Sequence, residues 1–379
     1  MHEATMKNTH SVNEQRLKEL FKDMVDIYSP SGKEDDLVSW IGSYLKKQGI
    51  ERTFQTVEKG RRNIIVTDDN DAGLLFLGHI DTVPAPDFDH YGYSEEDDII
   101  YGLGTADMKG GCAAMIEAFV SFREQTDGGF PAALALVVGE EETGDGALAL
   151  LDDYHFTWSI VGEPTRLVPC FSHYGYLEFM VSAAGRRLHA SQASIHDNAV
   201  FTMLNTLLRL ADHCAAARSD VIFNIRDLMS SSAGFAVPDH CEVWLDLHVP
   251  SRFPIEDLIF EVEDVARGVP AESSGNGIDI SCNTIHRGYS LPEKGPLADL
   301  LKEVYRERGI PWGTDTFLSD SDAVHLWQSG IRPVILGPGG LEMAHTYDEC
   351  VPFSEVRDAA EIYLSILMKL TGKPGTHTL

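Results

Sequence analysis

Cationic charge is short in this chain of 379 residues: 30 Lys and Arg stand against 59 Asp and Glu, a formal net charge of −29. Nucleic acid and anionic membrane surfaces are recognised through clustered cations, so neither is expected as a partner. Long apolar runs are missing too. No stretch of 18 apolar residues occurs, which excludes a helical membrane span. The polar start, Met1 to Val12, has no apolar signal-peptide core, so secretion is not expected. Cysteine is sparse and scattered: Cys112, Cys170, Cys214, Cys241, Cys282 and Cys350 include no Cys-x-x-Cys pair. Such spacing reads as reduced thiols in a cytoplasmic protein rather than as a disulfide framework. Internal repeats and low-complexity segments are absent as well.

What is present is an ordinary globular composition, 43% hydrophobic and 23% charged, long enough for two or three domains. Leu17, Leu20, Phe21, Met24 and Val25 recur at helical spacing and predict a first amphipathic helix. Ser31 with Glu34 reads as a capping box for a second, carried by Leu37, Trp40, Ile41 and Leu45 and stopped at Gly49. Short apolar runs follow at Asn63 to Thr67, Leu74 to Gly78 and Ala132 to Val138, with a helix from Ala113 to Phe119 between the last two. Runs of this kind suit strands covered on both faces, and their alternation with helices predicts an α/β sandwich with its site beyond the carboxyl ends of the strands.

After Glu163 the texture changes. Leu177, Phe179, Val181 and Ala183 alternate with polar neighbours, as in a strand with one wet face, and this strand is expected at an edge. A helix from Ala199 to Ala217, an alternating strand from Cys241 to Val249 and a helix from Ile255 to Val265 complete a small α+β insert. From Gly288 onward the chain returns to the first domain. Pro296 opens a helix through Leu300 and Val304, Pro333 to Leu336 forms a last strand, and Ser354 is expected to cap the final helix. Gly372 onward reads as a frayed tail.

The chemistry concentrates in five short segments. Tyr101-Gly-Leu-Gly-Thr-Ala-Asp-Met-Lys-Gly-Gly111 sets Asp107 among glycines just before an apolar helix. Leu77-Gly-His-Ile-Asp-Thr-Val-Pro84 carries His79 and Asp81, two positions apart and so on one side of an extended backbone. Val138-Gly-Glu-Glu-Glu-Thr-Gly144, Val161-Gly-Glu-Pro-Thr165 and Ala344-His-Thr-Tyr-Asp-Glu349 add further acids and His345. Two histidines with several carboxylates form an N/O donor set that suits zinc, cobalt or manganese and lacks the thiolates of a structural zinc site.

In order and spacing these segments resemble the co-catalytic metallohydrolases of metallopeptidase family 20, which includes acetylornithine deacetylase, succinyl-diaminopimelate desuccinylase, acetyl-lysine deacetylase and carboxypeptidase G. The resemblance runs from about residue 15 to about residue 370. It implies a zinc-peptidase-like three-layer α/β/α catalytic domain, residues 1–176 and 288–379, with an inserted ferredoxin-like lid or dimerisation domain, residues 177–287. Two divalent ions are implied, zinc with cobalt or manganese as alternatives, one held by His79, Asp107 and Glu163 and the other by His345, Asp107 and Glu142. Asp107 would bridge both ions and precede a cis peptide to Met108. Asp81 would orient His79. Glu141 would be the general base for a metal-bound hydroxide, although the run of three acids leaves a register one place earlier open. Three carboxylates against two divalent ions leave one positive charge, which one bridging hydroxide neutralises.

In the insert, Gly185-Arg-Arg-Leu-His-Ala-Ser191 followed by Asp197-Asn-Ala199 makes His189 the counterpart of the family histidine that stabilises the oxyanion, lent across a homodimer. His248 stands where desuccinylase-like members carry an arginine, and Ala233 to Pro238 lacks their asparagine, which weakens a desuccinylase reading; Arg287 is the remaining candidate anchor for a substrate carboxylate. The implied reaction is hydrolysis of the amide of a small N-acyl amino acid, as in an acetylornithine or acetyl-lysine deacetylase. A dipeptidase or carboxypeptidase of the same family, and a catalytically silent scaffold for amino-acid derivatives, are the other readings.

Overall fold

The structure, a computed structural model, describes residues 11–69, 72–85, 91–232, 234–268 and 277–371. The start of the chain before Ser11 and the tail from Gly372, expected to be frayed, lie outside the described residues. In chain order the first elements are helices α1 (Glu14–Asp26) and α2 (Asp35–Lys47), then strands β1 (Thr53–Glu58), β2 (Arg61–Val66), β3 (Leu74–His79), β4 (Ser94–Glu96) and β5 (Ile99–Tyr101). Next come helix α3 (Gly110–Gln125), β6 (Ala133–Val137), α4 (Asp145–Asp153), β7 (Trp158–Val161), β8 (Cys170–His173) and β9 (Gly175–Ala184). They are followed by α5 (Ala199–Ala217), β10 (Ile222–Ser230), β11 (His240–Val249), α6 (Ile255–Arg267), β12 (Ile278–His286) and β13 (Tyr289–Ser290). The chain finishes with α7 (Pro296–Arg308), β14 (Asp315–Phe317), α8 (Ala323–Gln328), β15 (Arg332–Ile335), β16 (Cys350–Pro352) and α9 (Phe353–Thr371).

Two compact units result. The first comprises residues up to Phe171, Leu291–Asp315 and Ser321 onward. Its sheet runs β1-β2-β6-β3-β7-β15, and β6, β3, β7 and β15 are parallel neighbours. Every residue of β3 and β6 is buried, as expected for parallel strands with helices on both faces. Phe76 on β3 packs edge-on against Phe119 of α3 and Tyr363 of α9, fixing that helix pair on one face. Burying a side chain of that size stabilises by roughly 1.5–3 kcal/mol. The amino end of α3 approaches β7 closely enough that a Cβ at Gly111 would lie 2.2 Å from the carbonyl oxygen of Gly162, so glycine is required there to bring the helix start up to the strand end.

The second unit comprises Ser172–Ser290 with Thr316–Asp320. Its antiparallel sheet runs β10-β11-β9-β12. Leu177, Phe179, Val181 and Ala183 of β9 are buried in one cluster with Met203, Leu207 and Leu210 of α5 and Leu258 and Val262 of α6.

Three local expectations are corrected. β9 is an interior strand, paired on both sides by β11 and β12; the edges of this sheet are β10 and β12, which lie between the segments read from the sequence. Ser31 and Glu34 form no capping box. The Ser31 hydroxyl donates to Asp81 at 2.6 Å, and Glu34, fully buried, takes the Arg61 guanidinium at 2.9 Å, a charge pairing that a buried carboxylate requires. Ser354 does not cap the last helix, which begins at Phe353; Asp98 does so from outside, accepting from the Ser354 amide at 3.1 Å and its hydroxyl at 2.5 Å.

Candidate active site

Three adjacent parallel strands end side by side, and each hands the chain to an acid or a histidine. His79 is the last residue of β3, Glu140 and Glu141 lie in the turn after β6, and Glu163 follows β7 by two residues. His345 enters from the loop after β15 with a left-handed backbone, φ 59°. Asp107 comes from the turn between β5 and α3, and its peptide bond to Met108 is cis.

Asp107 stands between the two histidines. Its Oδ1 is 3.1 Å from His79 Nε2 and its Oδ2 is 3.6 Å from His345 Nε2. Around His79 Nε2, Glu163 Oε1 lies at 3.6 Å and Glu140 Oε2 at 3.7 Å. Around His345 Nε2, Glu141 Oε2 lies at 2.9 Å. His79, Asp107 and Glu141 bring ligand atoms within 4.8 Å of one another. Glu142, the expected ligand, is exposed and takes no part in this cluster. The acid that enters beside His345 is therefore Glu141, and the acid beside His79 is Glu140, one place earlier than the family resemblance puts ligand and base.

Asp81 does its work through its main chain and its carboxylate separately. Its carbonyl oxygen meets His79 Nδ1 at 3.0 Å, which leaves Nε2 facing the acids. Its carboxylate lies 3.7 Å from Nδ1 and instead accepts from the amides of Glu140 at 3.2 Å and Glu141 at 3.1 Å and from the Ser31 hydroxyl. Asp81 thus orients the acidic turn as well as the imidazole. Sequence reasoning gave no site role to Glu349, the last residue of a quoted segment, yet its buried carboxylate accepts three backbone amides of the Asp107 turn.

The electrostatics are those of an acid-rich pocket. Burial pushes the carboxyls of Glu140 and Glu163 well above the usual range; the Glu163 charge outside Glu140 and the Asp107 charge beside Glu163 push in the same direction. Asp107 goes the other way, to about 2: burial would raise it, but its hydrogen bond to His79 and the charges of both imidazoles win. Burial would lower both histidines, and the surrounding acids outweigh it, holding His79 well above its ordinary value and His345 at about 9. Glu163 Oε1 is buried with no hydrogen-bond donor among the described residues. Four carboxylates, two imidazoles and an orphaned inward-facing oxygen fit a pair of divalent cations, whose charge replaces the protons that the acids otherwise retain.

In the second unit His189 is exposed, on the loop between β9 and α5. Its Nδ1 faces the Ser191 hydroxyl at 2.8 Å and the Ser191 amide at 3.3 Å. An amide is only a donor, so Nδ1 accepts and the neutral ring carries its proton on Nε2, pointing away. Arg287 ion-pairs with Glu256. His248 is pushed below its ordinary value by burial.

Comparison with known proteins agrees in direction. The sequence profile of Peptidase family M20/M25/M40 matches residues 75–369. An acetylornithine deacetylase of Vibrio campbellii is 26% identical over 352 residues, covering 88% of this chain and 91% of its own. Among solved structures, a tripeptidase from Staphylococcus aureus superposes with a TM-score of 0.78 at 21% identity, over 96% of this chain and 100% of its own. Human carnosine dipeptidase 1 gives 0.74 at 14% identity, over 95% and 97%. Among the described residues no helix is long and apolar enough to cross a membrane.

Proposed function

The chain belongs to Peptidase family M20/M25/M40 and is a metal-dependent hydrolase of amide bonds; from that premise we propose that it removes a small acyl group from an amino acid such as ornithine or lysine. The observation that carries the reading is Asp107 set between His79 and His345, and acetylornithine deacetylases among the sequence relatives support the substrate class. In this reading His79, Asp107 and Glu163 hold one divalent ion and His345, Asp107 and Glu141 the other, with zinc as the expected metal and cobalt or manganese as substitutes. When bound, such ions acidify a water and polarise the scissile carbonyl. Glu140, beside His79, takes the proton from the attacking water and returns it to the leaving amine. Asp81 keeps the acidic turn in place. His189 donates a hydrogen bond from Nε2–H to the developing oxyanion, which the tautomer set by Ser191 suits. Arg287 or His248 is the proposed contact for a substrate carboxylate.

The proposed assembly is a homodimer through the second unit, and the proposed compartment is the cytoplasm, which six thiols with no Cys-x-x-Cys pair suit. A panel of N-acetyl, N-succinyl and dipeptide substrates, assayed with added zinc or cobalt, tests the reading. Turnover of acetylornithine or acetyl-lysine above the rest is the expected outcome. Preference for dipeptides would replace the deacylase reading with a peptidase one, and inactivity on the whole panel with both ions bound would favour the silent scaffold.

A further inference from the structure

Glu349 lies four residues beyond His345, is 4% exposed, and points at the turn that carries Asp107. Its Oε2 accepts from the Gly104 amide at 2.8 Å, and its Oε1 from the amides of Ala106 at 2.9 Å and Asp107 at 3.0 Å. Its own carbonyl accepts from Gly102 at 3.1 Å, and the next residue, Cys350, pairs with Tyr101 of β5. Four amides of one turn thus converge on a single residue of the other loop. Those amides precede the helical ladder of α3 and are buried or nearly so, so each needs an acceptor. A carboxylate with two oxygens is the one side chain able to take three donors with the charge that strengthens all of them.

We propose that Glu349 is a positioning residue for the metal centre: it locks the Gly104–Asp107 turn to the His345 loop and so sets the Asp107 carboxylate between the two sites. The inference rests on the dinuclear reading above. Because Asp107 serves both sites in that reading, loss of the lock weakens both ions together, unlike loss of Glu141 or Glu163, each of which touches one.

The test uses full-length protein at stepped free zinc concentrations, with bound metal counted per chain and with the visible spectrum of the cobalt-substituted form as a second readout of ligand geometry. Glu349→Gln keeps the shape and turns one acceptor into a donor facing the Gly104 amide; Asp348→Asn, at an exposed neighbour, removes the same charge and serves as control. The expected result is a fall of about 10- to 100-fold in affinity at both sites for Glu349→Gln, the usual effect of losing a group that orients metal ligands, with a changed cobalt spectrum and faster hydrogen exchange at the Gly104, Ala106 and Asp107 amides. Asp348→Asn should match wild type. Wild type binding two ions while Glu349→Gln binds them equally well, with unchanged spectrum and exchange, overturns the inference and leaves the dinuclear reading standing. Wild type binding no ions overturns both. Should Glu349→Gln not fold, Glu349→Asp, which retains the charge on a shorter reach, must show an intermediate loss at both sites; wild-type affinity in that variant would equally overturn the proposal.

Discussion

Three neighbouring glutamates with different surroundings should give three different phenotypes. Glu140→Gln removes the proposed base but no ligand, so turnover should fall by about 100-fold or more with metal content intact. Glu141→Ala should lose one ion of two and activity with it, and Glu142→Ala, exposed and outside the cluster, should stay near wild type. Activity with metal analysis on the three variants decides the register; a dead but fully loaded Glu141→Gln with a normal Glu140→Gln would restore Glu141 as base and Glu142 as ligand.

His173, in the second unit, supplies a separate pH signal. Burial drives its imidazole down to about 4 against the pull of Asp320, while the unfolded value is 6.5; His286 and His248 push further down. Between those values the unfolded chain binds a proton that the folded chain refuses. Stability therefore falls as pH drops through 6.5 toward 4, by up to roughly 3 kcal/mol. His286, raised by its hydrogen bond to Asp320 against burial, contributes oppositely: its stabilisation is complete below the unfolded pKa and is lost as pH rises through the folded one. His173→Phe, beside Tyr289 and Phe317, should narrow the gap in melting temperature between about pH 7 and about pH 5. An unchanged gap would remove His173 as its source.

Among elements, β10 is the one whose exposure asks for a partner. It is an edge strand with Ile222, Ile225, Leu228 and Met229 all more than 40% exposed, and α5 exposes Leu204 and Leu208 in the same unit. A long edge with this much exposed apolar surface is disfavoured for a lone chain even where Arg226, Asp227 and a register shift between Ile225 and Asp227 interrupt it, which supports the proposed homodimer through this unit. Leu228→Lys should shift the protein toward monomer in sedimentation without lowering the metal content. Mixing His189→Ala with Glu140→Gln chains then tests whether the histidine works across the interface. Recovery of part of the activity after subunit exchange is expected, since a mixed dimer has one site with both groups; no recovery despite proven exchange would confine His189 to its own chain.

At the scale of the molecule, fold and metal centre are separable. The first unit has a core that runs through β3, β6, α3 and α9 and does not depend on the ligand side chains for burial. Chelation should therefore abolish activity and lower the melting temperature, because ions that bind only the folded state stabilise it by mass action and because the acids left behind repel one another. Far-ultraviolet circular dichroism should stay folded, and zinc should restore both activity and melting temperature. Unfolding on chelation at room temperature, or activity that survives it, would count against this separation.

Features that depend on near neighbours were legible in the order of amino acids alone. Apolar runs and helical periodicity marked β3, β6, α3, α5 and α9 because period is a local property, and His79, Asp107, Glu163 and His345 were singled out as candidate ligands because the order of the segments that carry them resembles the metallohydrolase family. The rest depends on chain segments far apart, brought together by folding. Which of three consecutive glutamates turns inward follows from Asp81, some sixty residues away, holding the Glu140 and Glu141 amides. Ser31 and Glu34 matched a local cap and were drawn off by Asp81 and Arg61, since a buried carboxylate outweighs an exposed helix end in its need for a partner. β9 alternates as an edge strand would, and became interior because β12 arrives to pair with it; alternation reports which face is dry, never how many strands stand alongside. The grip of Glu349 on the Asp107 turn spans more than 240 residues, and no pattern within a segment reports a hydrogen bond made between two of them.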